Sequence, residues 1–166
     1  MAEETVWRGS VSQWKNFGFF VFQLLFATVI VAIFIWARQS SSPPMRDFGP
    51  FILVLLAVPI FIAAKRYLQT KCTVYEVTTE RLKTTEGILS KVTDTLEFYR
   101  IKDIERRQPF LYRLCGIENV QLNTSDTSSP VVIIEAVPRH IGLADVIRNE
   151  VEKVRQQKGV REIDVE

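Results

Sequence analysis

The sequence predicts a membrane-anchored α+β protein, a two-helix transmembrane hairpin followed by short antiparallel strands and one C-terminal α-helix. Three observations carry this. Residues 17–37 and 48–64 are apolar runs without a charged side chain, and about 18 such residues suffice to cross a bilayer as a helix. From Cys72 the chain changes to strand-like alternation. Its last stretch then carries an apolar stripe at helical spacing.

As a helix, residues 17–37 reach about 31 Å at ~1.5 Å per residue, the thickness of a hydrocarbon core. Trp14 and Trp36 mark the two ends, where indoles favour the headgroup layer. Gln23 and Thr28 are the clearly polar side chains inside; they can bond a second helix or simply be tolerated. Residues 48–64 reach only about 25 Å, so the second span, placed at 48–66, needs either little tilt or help from Lys65, Arg66 and Tyr67 snorkelling to the interface. Pro59 removes one backbone donor and should kink this helix. The polar Ser40 to Pro44 stretch reads as a tight turn, which makes the helices antiparallel.

Positive charge orients the pair. Arg8, Lys15, Lys65, Arg66, Lys71, Arg81 and Lys83 flank the membrane on the side of the termini, against Arg38 and Arg46 in the loop. The expected layout is a cytoplasmic N-terminal segment (1–16), a first span (17–37), a short external loop (38–47), a second span (48–66), a cytoplasmic domain (70–158) and a tail (159–166). A cleaved signal peptide is disfavoured, because no A-x-A site follows the first run.

Net charge is +2, and from Lys65 onward 17 Lys and Arg face 16 Asp and Glu. Nucleic-acid binders show a strongly basic face, so no nucleic-acid partner is expected. Cys72 and Cys115 fit neither CxxC spacing nor a disulfide framework and read as free thiols.

Strands are expected at 73–78, 81–86, 92–98, 100–108, 117–123 and 131–137, bounded by turn residues such as Gly87, Pro109, Gly116 and Pro130. The dense apolar stretch from Phe110 to Cys115 reads as a single helical turn. Leu143, Ile147, Val151 and Val154 then form the stripe of a terminal helix, with Gly159 placed to end it. Such a helix cannot bury its stripe alone and must close the open side of the sheet.

The stretch Tyr75-Glu76-Val77-Thr78-Thr79-Glu80-Arg81-Leu82, then Gly87-Ile88-Leu89-Ser90, Tyr99-Arg100-Ile101-Lys102-Asp103-Ile104, Leu111-Tyr112-Arg113-Leu114-Cys115-Gly116 and the strand from Val120 to Asn123 resemble, in order and spacing, the bacterial membrane-anchored pleckstrin-homology (PH) domain family. The resemblance covers residues 70–157, and the two-span anchor is also a trait of that family. It implies a PH-like, seven-stranded, partly open antiparallel β-barrel capped by a C-terminal α-helix. One departure stands at Glu97-Phe98-Tyr99, where many members carry Ile-Pro. PH domains that bind phosphoinositides spread basic residues over a long first hairpin loop. Taking the short turn Thr78-Thr79-Glu80-Arg81 as that hairpin makes inositide recognition unexpected.

Little points to catalysis. His140 stands alone, without Cys or carboxylate at ligand spacing, and reads as a surface residue at a helix start. Cys115 lies near Arg113, yet it sits in an apolar turn with no base evident. No glycine cluster forms a phosphate-cradling motif, and Asn123-Thr124-Ser125 is only a formal glycosylation sequon. The chain is therefore expected to be a non-enzymatic adaptor or scaffold without metal, cofactor or small-molecule substrate, displaying a protein-interaction domain at the cytoplasmic face of the bacterial inner membrane. Its partners would be the lipid bilayer and a protein or a second copy. The alternative is a lipid- or ligand-binding accessory subunit.

One basic cluster remains, Arg100, Lys102, Arg106, Arg107 and Arg113. Arg106, Arg107 and Arg113 are the candidate interaction surface, for lipid headgroups or an acidic partner. The competing reading is a solvated edge strand neutralised by Asp103, Glu105 and Glu118. The near-neutral balance of the domain favours the second.

Overall fold

Backbone pairing in the domain begins ahead of the first apolar run. The structure, a computed structural model, describes residues 3–39, 51, 52 and 54–158. Strand β1 (Thr5–Ser10) pairs antiparallel with β2 (Val74–Thr78), and β3 (Arg81–Glu86) and β4 (Val92–Glu97) complete a four-stranded sheet in that order. A second antiparallel sheet holds β5 (Ile101–Arg107), β6 (Ile117–Thr124) and β7 (Val131–Pro138). The helices are α1 (Phe17–Gln39), α2 (Ala57–Cys72), α3 (Phe110–Leu114) and α4 (Leu143–Lys158). The chain forms two units, one of residues up to Lys15 together with those from Gln69 onward, the other of Asn16–Leu68.

Of the segment 1–16, expected to stand apart ahead of the spans, residues 3–15 group instead with the residues from Gln69 onward. The register runs from Ser10 opposite Val74 to Thr5 opposite Thr78, with one irregularity between Thr5 and Trp7. The physical cause is the open edge of β2, whose backbone donors and acceptors need a partner strand. Side chains add to the pairing. Val11 is buried in the core, and the Trp7 ring lies across Gly9, where a β-carbon would come within 2.3 Å of it. A second correction follows. The turn at residues 78–81 joins β2 to β3, and the connection between the first two strands runs over residues 11–73, which include the whole Asn16–Leu68 unit.

Alternation in β2 sends Tyr75 and Val77 inward and Glu76 outward, between Arg8 and Lys83. The β2–β3 turn is tied by Thr78, whose hydroxyl donates to Arg81 O (2.9 Å) and accepts from Arg81 N–H (3.1 Å). At the departure noted at Glu97-Phe98-Tyr99, Phe98–Arg100 forms a 3₁₀ turn between the sheets with Phe98 fully buried. Leu82, Ile101, Val120, Leu122 and Ile134 fill the space between the sheets. Leu143, Ile147, Val151 and Val154 of α4 close it, each 5 % exposed or less. Tyr75 bridges the sheets, its hydroxyl reaching Ile133 O and accepting from Glu135 N–H (3.3 Å). Burial pushes this phenol up to about 12.

The N-terminal segment is also tied to the second sheet. Ser12 N–H donates to Ala136 O (3.1 Å), and the Lys15 ammonium pairs with the Glu135 carboxylate. Ala136 holds a left-handed φ of 50°, unusual for a residue with a β-carbon. It sits opposite the register irregularity between Glu118 and Val120, and the Asn119 side chain accepts from its N–H at 2.8 Å.

In the other unit, one helix among the described residues, Gln13–Gln39 with its leading 3₁₀ turn, is long and apolar enough to cross a membrane. The second expected span, 48–66, is not one such helix. Residues 48–50 and 53 lie outside the described residues. Phe51, Ile52 and Val54 are helical, a turn follows at Leu55 and Leu56, and α2 runs on to Cys72. The interruption falls where Pro59 predicts, since a proline ring clashes with the carbonyl four residues earlier, here that of Leu55. Arg66, beyond the midpoint of α2, lies beside the start of α1. Its Nε donates to Asn16 Oδ1 (3.2 Å) and its guanidinium sits 5.6 Å from the Phe19 ring centre. Most of the expected external loop and the whole tail fall outside the described residues.

Candidate interaction surface

The three candidate arginines occupy one region of the domain but do not converge. Arg106 and Arg107 are neighbours on β5 and so project to opposite faces. Arg106 pairs with Asp145 in the first turn of α4. Arg107 lies along its own strand, both Nε (3.2 Å) and an Nη (3.0 Å) donating to Glu105. Arg113 is exposed on α3 and makes no ion pair among the described residues. Of the other basic residues of the cluster, Arg100 pairs with Asp126 at 2.8 Å and donates to the Tyr99 hydroxyl. The Ser128 hydroxyl and backbone, then Arg100, hold the Asp126 carboxyl below its ordinary value.

Of the carboxylates expected to neutralise this edge, Glu105 does so. The Asp103 side chain instead accepts from Ile104 N–H (2.8 Å), and Glu118 is buried. Asp145, too distant in sequence to be read as a partner, supplies the other charge. Exposed pairs of this kind contribute little. Arg106→Gln with Arg107→Gln is expected to lower stability by about 1 kcal/mol or less and to leave the salt dependence of lipid co-sedimentation unchanged. Thermal melting and sedimentation at two ionic strengths check this.

Sequence reasoning missed the exposure of the apolar turns. In α3 only Tyr112 turns inward against the core, where burial raises its phenol. Phe110 and Leu114 are each 79 % exposed, with Leu111 beside them. In the β3–β4 turn, Gly87 takes φ 116°, and a β-carbon there would meet Ser90 O at 1.8 Å. The tight reversal leaves Leu89 fully exposed, with Ile88 also open to solvent.

A family model described as the bacterial PH domain matches residues 17–159. The chain belongs to the bacterial PH domain family. Comparison with curated proteins and with solved structures returns no match. In this bacterial PH domain the match begins at the first residue of α1, so β1 lies ahead of it. Membership makes the domain a protein- or lipid-interaction module, and the two antiparallel sheets with their C-terminal helix fit that fold.

The space between the sheets of this PH domain is packed with side chains, and clefts open on its surface among the described residues. One of about 380 Å³ lies between α4 and the β2–β3 turn, lined by Thr79, Glu80, Glu150 and Lys153. A second of about 470 Å³ runs from Val6 to Asn149 and Lys153. Among the described residues no three His, Cys, Asp or Glu side chains are grouped to hold a metal ion. His140 lies exposed in the Arg139–Ile141 turn before α4, and both cysteines are half-buried and free.

Proposed function

We propose that this protein is a non-enzymatic membrane adaptor, its PH-like domain held at the cytoplasmic face of the bacterial inner membrane by a two-helix hairpin and docking a protein partner or a second copy. The pairing of β1 with β2 carries the reading. Chain leaves the domain at Lys15 and returns at Gln69, so the intervening segment must cross a bilayer an even number of times. With α1 long and apolar enough for one crossing, residues 48–66 are the return. The contact of Arg66 with Asn16 supports a hairpin, and the excess of Lys and Arg beside the domain over Arg38 and Arg46 supports the orientation. The second reading, a lipid- or ligand-binding accessory subunit, draws support from the apolar side chains exposed on α3.

Topology is the first test. A cysteine at Ser41 is expected to react with an impermeant reagent added to intact cells, and one at Ser128 only after permeabilisation. The opposite pattern would reverse the orientation, and protection of both would remove the hairpin. An integral protein that co-purifies in fixed ratio after mild detergent extraction would support the adaptor over the accessory subunit.

A further inference from the structure

We infer that the exposed apolar residues of α3 and of the β3–β4 turn are a bilayer-docking edge, inserted in the interfacial layer of the same membrane that the hairpin crosses. The inference rests on the anchored reading above and adds a second, non-spanning contact with lipid.

The registers place both features at one end of the domain. Ser10 lies opposite Val74, Val74 opposite Thr85, and Thr85 opposite Thr93. Beyond that row lie three things: the chain leaving through residues 11–15, the chain returning through 69–73, and the turn at 87–91 with Ile88 and Leu89. Neighbouring strands are ~4.8 Å apart, so the turn stands within about 15 Å of both connections. On the second sheet, Ile117 lies opposite Pro138 and Gly116 O accepts from Arg139 N–H. Helix α3 ends two residues before Gly116, and Pro138 is two residues from Ala136, which holds Ser12. The Glu135 carboxylate that takes Lys15 is also close enough to raise the Tyr112 phenol, after burial.

The two ends differ in chemistry. The opposite turns read Thr78-Thr79-Glu80-Arg81 between β2 and β3, and Ser125-Asp126-Thr127-Ser128-Ser129-Pro130 between β6 and β7, both polar. At the membrane-connected end, Phe110, Leu111 and Leu114 share one face of α3, with Tyr112 on the other. Exposed Lys71, Lys91, Arg113 and Arg139 flank the apolar tips, against the exposed carboxylate of Glu86. Apolar side chains rimmed by basic ones are the composition of an interfacial contact with an anionic leaflet.

The test uses the full chain in vesicles of phosphatidylethanolamine and phosphatidylglycerol containing shallow nitroxide lipid. Single cysteines replace Leu89, Leu114, Ser128 or Leu25 in a Cys72→Ser, Cys115→Ala background and carry an environment-sensitive fluorophore. The positions in the domain are exposed, and unchanged melting confirms each variant's fold. Expected is a blue shift with loss of emission to the nitroxide at Leu89→Cys and Leu114→Cys, and neither at Ser128→Cys. Leu25→Cys, in α1, reports on the anchor with a deeper nitroxide. Quenching there but not at the two tips overturns the docking edge and leaves the anchor standing. Tips that are blue-shifted yet unquenched would mean that a second copy covers them, which also overturns it. An unquenched Leu25→Cys removes the anchored reading and this inference with it.

Discussion

Ile147→Asp is expected to abolish the cooperative unfolding transition of the domain. Ile147 is fully buried in the middle of the α4 stripe, among side chains of both sheets. Losing the isoleucine alone costs about 2–5 kcal/mol, and burying an unpaired carboxylate adds several more. A domain of this size has only about 5–15 kcal/mol in all. Ile147→Val, which keeps the shape and removes one methyl, should cost about 0.5–1.5 kcal/mol and retain the transition. Melting followed by near-ultraviolet circular dichroism distinguishes the two. A wild-type curve for Ile147→Asp would mean that α4 does not close the sheets as described.

A fragment that starts at Lys71 is expected to remain unfolded. It lacks β1 and Val11, which leaves the β2 edge unpaired and opens the core beside Tyr75 and Val77. One buried valine contributes about 1.5–3 kcal/mol, and the loss of a whole ladder adds to it. The ends of the gap are adjacent, since Val11 N–H reaches Thr73 O at 3.4 Å. Joining β1 to β2 through a short Asn-Gly turn should therefore yield a soluble domain with all seven strands and a sharp melt. If the shorter fragment melted at the same temperature as the joined one, β1 would add nothing to the sheet's stability and would not tie the two ends of the insert together.

What could be read from the sequence follows from where the signal lies. The stripe of α4 and the alternation of β2 depend on burial of one face, so their periods are written in the residues. Strand β1 is different. Thr5-Val6-Trp7-Arg8-Gly9-Ser10 is an edge strand with no fully buried side chain, and its partner lies far along the chain. Its role is backbone pairing, which leaves little trace in composition. The apolar density of Phe110 to Leu114 was visible, but whether a short apolar helix faces core or solvent depends on tertiary packing. The same limit applied to Arg106, whose partner Asp145 comes from another element.

The order of synthesis gives the interrupted first hairpin a further meaning. A ribosome releases β1 first, then the whole of α1 and α2, and only afterwards the strand that β1 must join. Until β2 emerges, the earliest strand waits without a partner, and loop closure over so long an insert is slow. Completion of the domain thus reports that the intervening segment has been made and that its two ends have met. In the hairpin topology proposed above, a chain whose second helix stalled on the wrong side would leave an open sheet edge, a mark by which quality control could recognise a failed insertion.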